Sequence, residues 1–174
     1  MMQELIQSLI NTMRQEIGGI HTAFPGTIIS FDPTTSLATV QPMVKFPIPK
    51  GGSMDYPHIS GVPVIFPQSS DAVVAFPVKA GDGCLVVVSE RSIDYWMYGR
   101  ETNTNLSFDL TNAICIPGLF MKPNSAISEA CQKNAVVVKC GNSSLSVSSG
   151  GISITGDLTV SGTITADNII DRNE

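Results

Sequence analysis

From residue 136 onward the chain sets its apolar residues in pairs: Val136 with Val138, Leu145 with Val147, Ile152 with Ile154, Leu158 with Val160, and Ile164 with Ala166. Successive pairs start six to nine residues apart, and Gly141, Gly150, Gly151, Gly156 and Gly162 fall in the gaps. A two-residue alternation nested in a longer repeat describes short strands joined by regular turns, as in a β-solenoid. The alternation requires one dry face. A single chain supplies only thin rungs of small or β-branched residues, too little for a two-sided core.

The economical solution is three copies intertwined about a threefold axis, each giving one wall of a triangular prism. Val136, Val138, Leu145, Val147, Ile152, Ile154, Leu158, Val160 and Ile164 then fill the axis. Such a needle is stiff, because strands joined around an axis leave few open edges. Charged residues are 14% of the chain, against roughly 25% in an ordinary soluble protein, which fits a surface covered in large part by something else. The alternative is a simple meander sheet that extends the preceding domain.

Upstream the periods differ. Between Met2 and Ile17, Leu5, Ile6, Leu9, Ile10, Met13 and Ile17 recur at helical spacing, and Gly18 and Gly19 end the run. A lone helix of this length is marginal in water, so its stripe packs either on its own domain or on another protein. From Thr27 the period becomes two. Strands are predicted over 27–31, 37–44, 62–66, 72–76 and 84–89, with turns at Asp32-Pro33 and through Gly81-Asp82-Gly83. Short strands without intervening helix point to a small β-barrel, of which the Greek-key OB type is one solution. Residues 112–119 are expected to end the barrel and lead out of it, and 122–134 to form a linker.

Several chemistries find little support. A net charge of -5 offers no field for phosphate, and the ten lysines and arginines are scattered, so nucleic-acid binding is disfavoured. Cys84, Cys115, Cys131 and Cys140 have no zinc spacing and are expected to be reduced, the alternative being a Cys131 to Cys140 bridge. No apolar run approaches the ~20 residues that span a bilayer, and no basic segment precedes an apolar one as in a secretory signal. Ser89, Glu90, Arg91 and Asp94 form the richest polar cluster, and it reads as an exposed loop or an intersubunit ion pair. His58 beside Asp55 and Tyr56 has no nucleophile-elbow partner. No catalytic residue, metal ligand or cofactor is assigned.

Five segments together carry a resemblance. They are GTIISFD at 26–32 leading to ATVQP at 38–42; PVIFP at 63–67; FPVKAGDGCLVVVSERSID at 76–94, followed by Trp96; DLTNAICIPGL at 109–119; and GDLTVSGTITA at 156–166. From about Ile20 to Ile170 the chain resembles the central spike proteins of contractile phage tail baseplates, the membrane-piercing type with an N-terminal OB domain. The resemblance implies a homotrimer on the baseplate hub that strikes the host envelope when the sheath contracts, located in the virion and assembled in the host cytoplasm.

On this reading residues 1–19 are a helix docking the hub, with Leu5, Leu9 and Met13 as contacts. Residues 20–121 are an OB-like β-barrel, 122–134 a linker, and 135–174 an intertwined trimeric β-helix. The whole is a mainly β structural protein, not an enzyme. Two departures matter. Ser107 and Phe108 stand where relatives carry an arginine-histidine pair. His21 and His58 are the only histidines, so the His-x-His iron apex of some relatives is not expected. The charged end, Asp171 to Glu174, implies either splayed ends or a separate tip protein, and the cap is favoured. The competing functions are a single-strand nucleic-acid-binding OB protein and a trimeric glycan-binding adhesin. Against the adhesin, aromatic platforms are absent beyond Gln132.

Overall fold

The computed structural model describes residues 1–48, 51–100 and 105–170. They form two compact units, divided between Met121 and Lys122. Helix α1, Met2–Gly18, follows the predicted stripe, and the Gly19 N–H closes it on the carbonyls of Gln15 and Glu16. None of its residues is buried. Packing of the stripe on its own domain, one of the two expectations, is not what the chain does.

The first unit is a curled five-stranded antiparallel sheet. Its strands are β1 (Ala23–Asp32), β2 (Leu37–Pro42), β5 (Ile59–Pro63), β6 (Gly83–Val88) and β7 (Ala113–Pro117), in the order β5-β2-β1-β6-β7. A small hairpin of β3 (Lys45–Pro47) and β4 (Ser53–Asp55) stands apart, tied by the Lys45–Asp55 ion pair. Strand β1 pairs with β6 along its first half and with β2 along most of its length. Ile29 is an extra residue in that second pairing, between Ile28 opposite Val40 and Ser30 opposite Thr39. Such a bulge increases local twist and curls the sheet. The outer edges meet where Val64 and Cys115 form a parallel bridge, with the Ile65 N–H on the Cys115 carbonyl at 2.9 Å.

Alternation decides the core. Phe24, Ile28, Ala38, Val40, Val62, Cys84, Val86, Val88, Ala113 and Cys115 point inward and are buried. Gly26 shares that interior: a methyl there would come within 2.7 Å of Val40 and about as close to Val86 and Cys84. All four cysteines are free, so the Cys131 to Cys140 bridge is not formed; Cys84 and Cys115 lie inside and the other two are exposed. The contact with Cys84, together with burial, holds the Cys115 thiol far above its ordinary value.

Two expectations are corrected here. Residues 72–76 are not a sheet strand; Val73 meets only Gln68 in an isolated bridge, and both Val73 and Val74 are exposed. The fifth place belongs to Ala113–Pro117, expected to lead out of the barrel but in fact paired along β6 from Val88 to Cys84. Its alternate side chains Ala113 and Cys115 face inside, while Ile116 stays exposed.

In the second unit the expected linker holds helix α3, Ser125–Lys133, started by the Asn124 side chain accepting from the Ala126 N–H. Beyond it β8 (Val136–Cys140), β9 (Ser143–Ser148) and β10 (Gly151–Thr155) form an antiparallel meander in the order β8-β9-β10. The single chain therefore does not form the intertwined β-helix. Leu158, Val160 and Ile164, expected on further rungs, lie in chain without regular secondary structure. Asp171 to Glu174, on which the tip reading rested, fall outside the described residues.

Candidate assembly interfaces

The meander sorts its side chains by face. Registers place Val136, Val147 and Ile152 in one cross-strand row and Val138, Leu145 and Ile154 in the next. Both rows share one face, because successive strand residues alternate. The opposite face carries Val137, Ser146 and Ser153, then Lys139, Ser144 and Thr155.

Helix α3 lies against the β8 side of the second face, and Ser153 and Thr155 of β10 stay exposed. Glu129 on the helix accepts from Lys139 at 3.4 Å and from Lys133 at 2.7 Å. The Lys133 hydrogen bond and charge, followed by those of Lys139, hold the Glu129 carboxyl below its ordinary value. Ala126, Glu129 and Ala130 of the helix are half-buried, as are Val137, Ser144 and Ser146 of the sheet. All six residues of the apolar rows are exposed, from 38% at Leu145 to 70% at Ile152. The dry material thus faces out while the hydroxyl-bearing face is backed by a helix. Six of the nine expected axial residues are brought together on this face; Leu158, Val160 and Ile164 are not joined to it by strand pairing.

A second bare surface is the α1 stripe. Leu5, Leu9 and Met13 are all more than half exposed, with Ile6, Ile10 and Ile17 beside them.

The third lies in the connection from β6 to β7 and was not found from the sequence, although Trp96 had been noted. Helix α2, Asp94–Tyr98, is a single short turn whose Met97 N–H bonds the Ile93 carbonyl at 2.9 Å. Gly99 ends it at φ 64, a left-handed conformation that suits glycine, and returns its N–H to the Tyr95 carbonyl. Ile93 and Met97 are half-buried and face the domain, leaving Tyr95, Trp96 and Tyr98 exposed. The signal in the sequence was compositional: three of the chain's four tyrosine and tryptophan residues fall between 95 and 98.

The polar cluster beside α2 is structural. Arg91 Nη1 donates to Ser107 Oγ at 3.0 Å, and its Nε lies 3.7 Å from Glu90, with both charges exposed. Asp109 caps the short 3-10 turn Leu110–Asn112, accepting from the Thr111 hydroxyl at 2.6 Å and the Thr111 N–H at 2.9 Å. Those bonds, with a smaller contribution from the His21 charge, hold its carboxyl below the ordinary value. No group of three or more His, Cys, Asp or Glu side chains that could hold a metal occurs among the described residues. No described helix is long and apolar enough to cross a membrane.

A family model described as the phage protein Gp138 N-terminal domain matches residues 24–118. The matched segment opens in β1 and ends one residue past β7, and so takes in all five strands of the curled sheet. No curated protein matches the chain.

Proposed function

The chain belongs to the phage Gp138 N-terminal domain family, and on that premise we propose that this phage structural protein is the central spike of a contractile tail baseplate, working as a homotrimer. The observation that carries the reading is the bare apolar face of the meander. Six branched or long aliphatic side chains stand in two aligned rows with no cover, while the serine face is backed by α3. Covering such rows is worth roughly 25 cal/mol for each Å² of apolar surface removed from water. Three copies related by a threefold axis cover them symmetrically, row on row. In that trimer Leu158, Val160 and Ile164 continue the axis, finding in sister chains the strand partners that one chain lacks.

The first unit has the makings of the OB-type barrel of the spike reading: five strands, a long bent β1 shared by two neighbours, and edges joined by the parallel Val64–Cys115 bridge. The function is mechanical. Energy released by the contracting sheath is delivered through a thin trimeric rod to a small area of the host envelope, and no residue makes or breaks bonds. The α1 stripe, with Leu5, Leu9 and Met13, docks the baseplate hub; a separate subunit caps the tip.

The test is location. Gold-labelled antibody against this chain, viewed on intact particles by electron microscopy, labels the distal end of the tail in this account. Label confined to the head, or absent from purified particles, contradicts it.

A further inference from the structure

We propose that Cys84 and Cys115 are an oxidisable pair that a peroxide closes into a disulfide, clamping strand β7 to β6. Both side chains are wholly buried, at 0% exposure, and both thiols are free. They come from neighbouring antiparallel strands. The register sets Cys84 opposite Pro117 and Val86 opposite Cys115, so the two cysteines are diagonal neighbours on the inward face. Gly118 donates its N–H to the Gly83 carbonyl, and Ser89 to the Asn112 carbonyl, at 3.0 Å each. The pairs 84 with 117 and 86 with 115 are therefore the non-hydrogen-bonded ones, where strands and side chains approach more closely.

The two sulfurs meet across this diagonal in a hydrogen bond. Diagonal neighbours in a sheet stand ~7–8 Å apart, so a bond of ~2 Å between the sulfurs requires a small shift of one strand. Strand β7 is free to make it. It is last in the sheet order, and on its far side it is held by the parallel bridge to Val64 rather than by a full strand. Burial alone would be served by any small apolar side chain. Two sulfurs in contact add what alanine or valine lacks, a bond that can form across the sheet.

The pair is chemically asymmetric. Hydrogen bonds from the Cys115 thiol and the Gly26 backbone hold Cys84 below its ordinary value, against the opposing effect of burial. The same contact with Cys84, together with burial, holds Cys115 above its own. Cys84 therefore ionises and reacts first. Its thiolate attacks one oxygen of hydrogen peroxide, the O–O bond breaks, and Cys84 becomes a sulfenic acid as hydroxide leaves. That hydroxide takes up the proton Cys84 had released. The Cys115 thiol then attacks the Cys84 sulfur, the S–S bond forms, and the sulfenic oxygen departs as water with the Cys115 proton. Two thiols are oxidised and one peroxide is reduced to two waters. Hydrogen peroxide is little larger than water and reaches a buried sulfur through local opening of β7. The new bond closes the chain from 84 to 115, which restricts the unfolded state and stabilises the fold.

Cys131 and Cys140 are exposed and oxidise without any opening, so the test uses the full-length chain carrying Cys131→Ser and Cys140→Ser. It is treated with hydrogen peroxide, cleared with catalase, unfolded with iodoacetamide present, digested and weighed by mass spectrometry. A thermal melt of the folded sample runs in parallel. The expected product is one peptide pair joined from Cys84 to Cys115 and two hydrogens lighter than the reduced peptides. The Tm is expected to rise by about 5 °C or more, and dithiothreitol to reverse the rise. Cys115→Ala in the same background is expected to gain neither the bridge nor the Tm, and to leave Cys84 as a sulfenic acid that dimedone labels on unfolding. Both thiols still open to iodoacetamide after peroxide overturn the proposal, as does oxidation of either to a sulfinic acid without a bridge. A bridge that leaves the Tm unchanged overturns the clamp. Each of these results reads the same way whether the chain sediments as a monomer or as a trimer.

Discussion

Glu129 and Lys139 are joined across 3.4 Å, and this ion pair records which side of the meander helix α3 occupies. Lys139 projects from the same face as Val137, Ser144 and Ser146. The helix is spent on the hydroxyl side, and the rows built on Leu145 and Val147 are left for something outside the chain. An exposed pair of this kind is itself worth little, because water screens it. Its value here is geometric.

Ile154→Asp places one carboxylate per copy on a shared axial level. Burying unpaired charge costs several kcal/mol, so the trimer is expected to be lost. Ser153→Asp adds the same charge one residue away on the other face and is expected to leave the trimer intact. Sedimentation of both variants checks the pair; equal behaviour of the two contradicts the assignment of faces.

Glycine is required at two places in the first unit. At Gly26 a methyl intrudes on Val40, Val86 and Cys84 inside the sheet; at Gly83 it overlaps the backbone carbonyl of Leu119, which cannot swing aside as a side chain end can. Gly26→Ala and Gly83→Ala are each expected to lower stability by about 1 to 3 kcal/mol, the usual range for overpacking. Thermal melts read the effect. Gly18→Ala, with open space around the added methyl, serves as the neutral control.

Acid acts through Asp109. Its carboxyl is depressed below 3.8 in the folded chain by the Thr111 hydroxyl and N–H and by His21. A depressed folded value means stability that is fully present above the unfolded value and is lost as pH falls through the folded one. The Tm is therefore expected to drop below about pH 4, and Asp109→Asn, which can still cap the turn, shows a shallower drop over that window. Identical profiles for the two proteins contradict this role.

Because α1 buries none of its residues, Leu9→Asp is expected to change the Tm little, within about 0.5 kcal/mol of stability, and to leave the sedimentation unchanged. Retention on spike-less particles is expected to fall. A cooperative loss of folding would mean that the helix packs on its own chain after all.

What the sequence made legible followed from periodicity. The stripe from Leu5 to Ile17 marked α1 almost to the residue, and alternation marked β1 and β2, because the core takes every second side chain; β6 was legible only as an apolar run after the Gly81-Asp82-Gly83 turn. Residues 72–76 misled because an apolar run without alternation does not tell a strand from a loop: Val73 and Val74 stay exposed, whereas Cys115, in an equally apolar run between Ile114 and Ile116, reaches the core. Helix α3 was missed because it is short and its apolar stripe, Ala126, Ile127, Ala130 and Cys131, is made mostly of small residues. Its signals were the Asn124 cap and the Glu129–Lys133 spacing. The axial residues were legible as a set up to Ile154. Beyond Gly156, whose φ of 106 ends the meander, the repeat continues in the sequence but has no neighbour in the same chain to pair with. The aromatic trio had no periodicity at all and surfaced only when the structure showed it facing out.

The most direct measurement is the mass of the purified wild-type chain by sedimentation equilibrium. A stable species at three times the 18.5 kDa of one chain, persisting on dilution, is what the bare Val136–Val147–Ile152 and Val138–Leu145–Ile154 rows predict. A single species of 18.5 kDa at all concentrations would contradict it, since those six side chains would then have no cover.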